Sequence, residues 1–309
     1  MSEAVPARSL MRNILIEFSS IPGRTQGGLC GSEDLTAVQF LDMLHVVLSS
    51  PGGFQTPFRD SKIPLEASNQ LIPHGLYILT PNERGAKITT SDEPYYPRTL
   101  SVPNQAEKKT FRDQVRQRDG RCLITGQINV EALVGMWTRF EAAHIFPLAM
   151  HTIFQSHGFS NLITYNHPPG ITSPQNGILL RSDIHQLWDD YAIAVNPNDG
   201  YRIQSFKPET WEYHGKVLDP VCRKPGNHLS VVDGLLQWHY EQAVLCNMRG
   251  DGGLSFEFDF PPGTDMMREI REGPAPAKRM EAELFGRLYG VQNESDALDR
   301  GTEQAGGNT

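Results

Sequence analysis

The chain has 309 residues, 39% of them hydrophobic, and a net charge of −8, which suits one large domain or two smaller ones and does not mark the whole surface for an anionic partner. No run approaches the roughly 18 apolar residues of a membrane helix. The apolar patch at Leu10–Phe18 is interrupted by Arg12 and Glu17 and lacks the order of a secretory leader, so the expectation is an intracellular protein of nucleus or cytoplasm. Cys30, Cys122, Cys222 and Cys246 form no CxxC pair, which argues against a zinc ribbon and a disulfide framework; Cys122 reads as a small buried hydrophobe.

In chain order, Asn13–Ser19 suggests a strand. Ser32 or Asp34 would cap a helix to about Ser49, with Leu35, Val38, Leu41, Leu44 and Leu48 at spacings of three and four. Gly75–Thr80 reads as a strand, and the proline-rich residues 81–105 as a linker or loose extension. A helix from about Asn104 to Arg118 places Lys108, Arg112 and Arg116 on one face; residues 106–125 hold six basic and three acidic residues, a local excess that could contact phosphate. Arg121–Gly126 reads as a short strand closed by a turn, Phe140–Ile145 as a second strand, 148–157 as a short helix and 158–175 as a loop. Ser182–Tyr191 follows a helical pattern. Ala192–Val195 and Tyr201–Phe206 flank Asn-Pro-Asn-Asp-Gly as a hairpin. After an irregular stretch at 207–232, Asp233 would cap a helix to about Met248, with Leu235, Trp238 and Leu245 on its buried stripe. A further helix is expected at Lys278–Tyr289, and a disordered acidic tail from about 291; residues 250–309 carry twelve acidic and six basic residues, where most of the net charge lies.

Two phrases stand out. The first is Glu141-Ala-Ala-His-Ile-Phe-Pro147. The second is Asn176-Gly-Ile-Leu-Leu-Arg-Ser-Asp-Ile-His185, with Leu187-Trp188-Asp189 just after. With Cys122-Leu-Ile-Thr-Gly126 they resemble the HNH endonuclease family, in the variety found as a single copy in many fungal proteins. The resemblance is carried by residues 121–195 and extends loosely over about 111–288; it does not reach the first hundred residues. It implies an α+β protein built on a ββα-metal (His-Me finger) core with helical and hairpin extensions. The expected organisation is an N-terminal extension at 1–104, a nuclease domain at 105–206, a C-terminal helical extension at 207–290 and the tail at 291–309.

By position, the resemblance makes His144 the general base, Asn176 the brace that orients it, and His185 a metal ligand on the helix. It departs from the family at Ala143, where an Asp or His commonly binds the metal. Alternate residues of a strand share a face, so Glu141 could substitute for it. Asp183 and Asp189 would assist, directly or through water, and Arg181 would clamp a phosphate or pair with Asp183. His151, His157 and His167 read as loop polar groups. The implied cofactor is one divalent cation, Mg²⁺ or Mn²⁺ in preference to Zn²⁺, and the implied partner is DNA rather than RNA, with no membrane and the oligomeric state left open. The expected activity is metal-dependent hydrolysis of phosphodiester bonds; the alternative is an inactive HNH fold serving nucleic-acid binding or protein interaction.

Overall fold

The computed structural model describes residues 8–252 apart from 60, 62, 97, 99–104 and 251, together with 271 and 280; of residues 105–108 it describes the backbone alone. The helix expected at Lys278–Tyr289, the acidic tail at 291–309 and the Lys108 side chain lie outside the described residues. Helices and strands mix along the chain, as in an α+β protein.

The N-terminal part is a small sheet covered by a helix. β1 (Ile14–Phe18) pairs antiparallel with β2 (Thr25–Leu29). Then α1 (Ala37–Val47) crosses the sheet, followed by β3 (Leu48–Ser49), β4 (Phe54–Gln55), β5 (Gly75–Pro81) and β6 (Thr89–Thr90). β5 lies parallel to β1, and the sheet order is β2-β1-β5-β4. Neither Ser32 nor Asp34 caps α1. Thr36 does, with Gln39 closing a capping box, because a Thr with Gln three residues on satisfies two otherwise orphaned backbone donors. The buried stripe is accordingly Phe40, Met43, Leu44 and Val47, and Leu48 has already turned into a strand paired with Thr90.

The second half begins with α2 (Gln105–Asp119) and β7 (Phe140–His144), passes through α3 (His151–Ser156), and returns as β8 (Gly177–Arg181) into α4 (Ser182–Asp189). β9 (Ile193–Asn196) and β10 (Arg202–Ser205) form the expected antiparallel hairpin, and α5 (Asp233–Met248) ends the described fold. Arg121–Gly126 is not a strand. It is a tight turn with an Arg121–Ile128 bridge and Gly126 N donating to Cys122 O at 2.8 Å, and Leu123 N donates to Leu179 O on β8 at 3.0 Å. The partner of β7 is Gly-Ile-Leu-Leu-Arg at 177–181. Its unbroken apolar run is buried on both faces, so it carries no alternation to reveal a strand.

Two hydrophobic clusters hold the molecule. One surrounds the β7–β8 ribbon with Phe111, Val115, Phe146, Ile184 and Trp188; the other joins the N-terminal sheet and α1 to Tyr191, Ala194 and Phe206. α5 belongs to both: Leu235, Leu236 and Trp238 enter the first, and Tyr240 to Met248 the second. Twelve of its sixteen residues are buried, so it is a central helix rather than an amphipathic cover with a single Leu235–Trp238–Leu245 stripe. Its N-cap is Val232 with no side-chain bond, and Asp233 instead accepts from the Tyr201 hydroxyl at 2.9 Å. The described residues 91–96 are tied to the fold rather than forming a loose linker. Tyr96 N donates to Gln242 Oε1 at 2.8 Å, Tyr191 donates to Tyr96 O at 2.9 Å, and Arg249 donates to the carbonyls of Ser91 and Glu93. Among the described residues no helix is long and apolar enough to cross a membrane.

Candidate functional site

The site is built on the ribbon β7–β8 and the helix that follows it. The register pairs Glu141 with Leu180 and His144 with Gly177, and α4 starts one residue after β8 ends. On β7, alternation puts Glu141 and Ala143 on one face and His144 on the other. The contacts agree: Glu141 reaches α4, and His144 reaches α2.

On the α4 side three side chains meet. His185 Nδ1 lies 2.6 Å from Glu141 Oε2, and His185 Nε2 lies 3.3 Å from Asp189 Oδ2, one helical turn on. The bond from His185 is the main cause that holds the Glu141 carboxyl below its ordinary range. For His185, burial disfavours the charged form. The bond to Glu141 and the charges of Asp189 and Glu141 outweigh it, and the imidazole pKa is raised. Both directions reflect the attraction between the imidazole and the two carboxylates beside it.

On the α2 side, the His144 ring stacks on Phe111 with centroids 3.9 Å apart and an 8° tilt. Phe111 fits there because residue 177 is glycine: a Cβ at that position would stand 2.5 Å from two atoms of the Phe111 ring. Asn176 is fully buried and binds the turn after β7. Its Oδ1 accepts from Phe146 N at 2.7 Å, and its Nδ2 donates to Phe146 O and Ile171 O at 2.9 and 2.8 Å. Its own carbonyl takes Ile145 N at 3.0 Å.

Two arginines that the sequence reading did not single out as site residues hold this frame. Arg118 forms a fully buried fork with Asp119, at 2.6 and 2.8 Å, and donates to the carbonyls of Pro174, Leu229 and Gly177. Asp119 in turn accepts from Leu179 N at 2.9 Å, so the pair pins both sides of Asn176. Arg98 donates to the carbonyls of His144 and Ile145 and lies 2.8 Å from Asp189 Oδ1. The only sequence signal for Arg118 was its adjacency to Asp119 in a run that reads as solvated charge; for Arg98 there was none.

The remaining expected residues stand elsewhere. Asp183 does not join Glu141 and His185. It is held by Arg181 through a two-point pair at 2.6 and 2.5 Å, which also lowers its pKa, and Arg181 gives its third contact to Gln127 at 2.9 Å. Of the basic face of α2, Arg112 is exposed beside Asp113 at 3.8 Å, and Arg116 lies over the Trp137 ring at 4.8 Å. His157 turns its ring to Ile153 O in its own helix.

Residues 122–196 match the family model described as HNH endonuclease. Over this segment the chain is similar to HNH endonucleases. No curated protein and no solved structure matches the chain. The HNH domain as matched contains β7, β8, α4 and β9, and with them Glu141, His144, Asn176, His185 and Asp189; Arg98, Phe111 and Arg118 lie before it. HNH domains bind nucleic acid and generally use a divalent metal ion.

Whether the residues fit such an ion depends on how many donors it needs. Among the described residues no group of three or more His, Cys, Asp or Glu side chains is arranged to hold one. Two donors are in place. His185 Nε2 and Asp189 Oδ2 are 3.3 Å apart, close to the ~3 Å edge of an octahedral shell with ~2.1 Å bonds. A hard cation that keeps several waters fits two protein donors. Glu141, on the opposite ring nitrogen, is placed to orient the imidazole rather than to serve as a ligand.

Proposed function

We propose that the chain is a metal-dependent endonuclease that hydrolyses phosphodiester bonds of DNA. The observation that carries this reading is the orientation of His185: Glu141 holds Nδ1, while Nε2 faces Asp189 on the same helix of an HNH domain. In this reading 105–206 is the nuclease module of ββα-metal type, with the N-terminal sheet and the described residues of the C-terminal extension, 207–250, packed around it, working in the nucleus or cytoplasm.

The divisions of labour follow from the contacts. Asn176 fixes the turn after β7, and Phe111 fixes the plane of the His144 ring, so that His144 takes a proton from the attacking water as its oxygen adds to phosphorus. His185 and Asp189 would hold the cation, Mg²⁺ or Mn²⁺ before Zn²⁺ given one nitrogen and one oxygen donor. When bound, that ion supplies neutralisation of the phosphate and stabilisation of the leaving oxygen. Arg112, exposed on α2, and Lys108 and Arg116 on the same helix supply sequence-independent contact to the DNA backbone, which predicts binding that weakens steeply with salt. Arg181 spends its guanidinium on Asp183 and Gln127 and is a minor contributor to that contact.

The test is nicking of supercoiled plasmid with Mg²⁺, Mn²⁺ and Zn²⁺ in turn. Wild type should cut, and His144→Ala should lose at least about a hundredfold, the scale of general-base catalysis. A wild type inert with all three ions ends the enzyme reading. A second reading, an HNH fold that binds nucleic acid or protein without turnover, is favoured by Ala143, fully buried where the family commonly places a ligand. Calorimetry separates the two: an absence of affinity for Mn²⁺ selects the binding module.

A further inference from the structure

We infer that Arg98 is a positioning residue of this site, so that a segment outside the HNH domain completes it; the inference rests on the nuclease reading above. The guanidinium spans two elements. Nε is 2.8 Å from Asp189 Oδ1 at the end of α4, Nη1 donates to Ile145 O at 2.7 Å, and Nη2 donates to His144 O at the end of β7. The ribbon joins β7 to β8, and α4 leaves β8 at Ser182, so Asp189 sits at the far end of the helix from that junction. Arg98 closes the open end by linking the strand that carries His144 to the carboxylate beside His185. A planar fork with five donors suits one carboxylate and two carbonyls at once.

The side chain is 5% exposed, with Nη1 and Nη2 donating to carbonyls and Nε in an ion pair with Asp189, so it acts through its neighbours and not on substrate. Two residues upstream, Tyr96 is tied to Gln242 on α5 and to Tyr191 after α4. The residue therefore has two separable effects. Its positive charge beside Asp189 opposes a second cation at that carboxylate. Its fork fixes the position of His144 relative to His185 and Asp189, and a misplacement of about 1 Å in such a pair can cost turnover a hundredfold. Removing Arg98 should then move cation affinity and turnover in opposite directions, which loss of fold cannot do.

The full-length chain tests this with Mn²⁺ alone by calorimetry, with plasmid nicking, and with thermal melts as a check on folding. Arg98→Gln is expected to bind Mn²⁺ about fivefold tighter, as loss of one partly screened like charge implies, and to turn over about a hundredfold more slowly. Arg98→Lys keeps the charge without the fork; Mn²⁺ affinity should stay near wild type while turnover stays low. In an Asp189→Asn background, Arg98→Gln should no longer change Mn²⁺ affinity. Turnover of Arg98→Gln within about twofold of wild type overturns the inference. So does a parallel loss of Mn²⁺ affinity and thermal midpoint in both variants, which marks a structural residue. A wild type that binds Mn²⁺ without cutting sinks the nuclease reading and the turnover role together, and a wild type that binds no Mn²⁺ does the same for the affinity effect.

Discussion

Glu141 on β7 and His185 on α4 are 44 residues apart in sequence and 2.6 Å apart in space. The contact turns a carboxylate that could have been a ligand into the group that sets the imidazole's orientation. Carboxylates in this role typically carry 10–100-fold of metal affinity or activity. Glu141→Gln keeps an acceptor for the ring and should weaken Mn²⁺ binding about tenfold, whereas His185→Ala should abolish it. Calorimetry on both variants decides it. If Glu141→Gln removes Mn²⁺ binding as completely as His185→Ala, Glu141 is a ligand after all.

Gly177 sits opposite His144 in the ribbon and under the Phe111 ring. A methyl group there collides with two Phe111 ring atoms and with Val115 at 2.9 Å. Gly177→Ala should destabilise the fold by about 1–3 kcal/mol, as overpacking does, and reduce nicking beyond what the lost folded fraction explains, because Phe111 supports the His144 ring. Pairing it with Phe111→Leu should recover part of the stability but not the nicking. Urea unfolding and nicking by wild type and both variants check this; an unaltered Gly177→Ala would show that Phe111 does not set the base.

Arg118 and Asp119 are adjacent residues whose side chains are both 0% exposed. Burial pushes the Asp119 carboxyl up, opposed by the bonds from Arg118 and Leu179 N. Replacing one partner strands the other charge in the interior, a change that costs about 3–5 kcal/mol. Arg118→Met should therefore lower the urea midpoint severely and loosen the Asn176 turn, since Pro174 O and Gly177 O lose their donor. Arg112→Ala, on the same helix but exposed, should leave stability within about 0.5 kcal/mol and act only on DNA affinity.

His239 is fully buried on α5, stacked on Trp188 at 3.6 Å and bonded to Trp188 O at 3.2 Å. Burial, reinforced by the charge of Arg98, holds its pKa well below 6.5. The unfolded chain takes up this proton as pH falls through about 6.5 and the folded chain does not. The stability this ring contributes is therefore complete above about pH 6.5 and declines below it. Urea midpoints across this range should fall with acid in wild type and fall less steeply in His239→Gln, by up to about 1.4 kcal/mol per pH unit. Parallel slopes would place the acid sensitivity in other groups.

By itself, the sequence determined the local features whose signal is written in neighbouring residues. The hairpin around Asn196-Pro-Asn-Asp-Gly, the strand carrying His144, the helix bearing His185 and the order His144, Asn176, His185 were legible because turn chemistry, periodicity and motif spacing are short-range. Those features sufficed to point to the family that residues 122–196 match. Only the tertiary structure decided which carboxylate meets which base. Glu141 bonding Nδ1, Asp183 held by Arg181, the Gly177–Phe111–His144 stack and the Arg98 bridge all join residues on different elements or turn on side-chain direction, which spacing does not encode. The buried strand 177–181, and the depth of burial of helix α5, whose bounds were legible, were hidden for a related reason. An element covered on every side has no polar face, so the periodicity that reveals half-buried elements is absent from it.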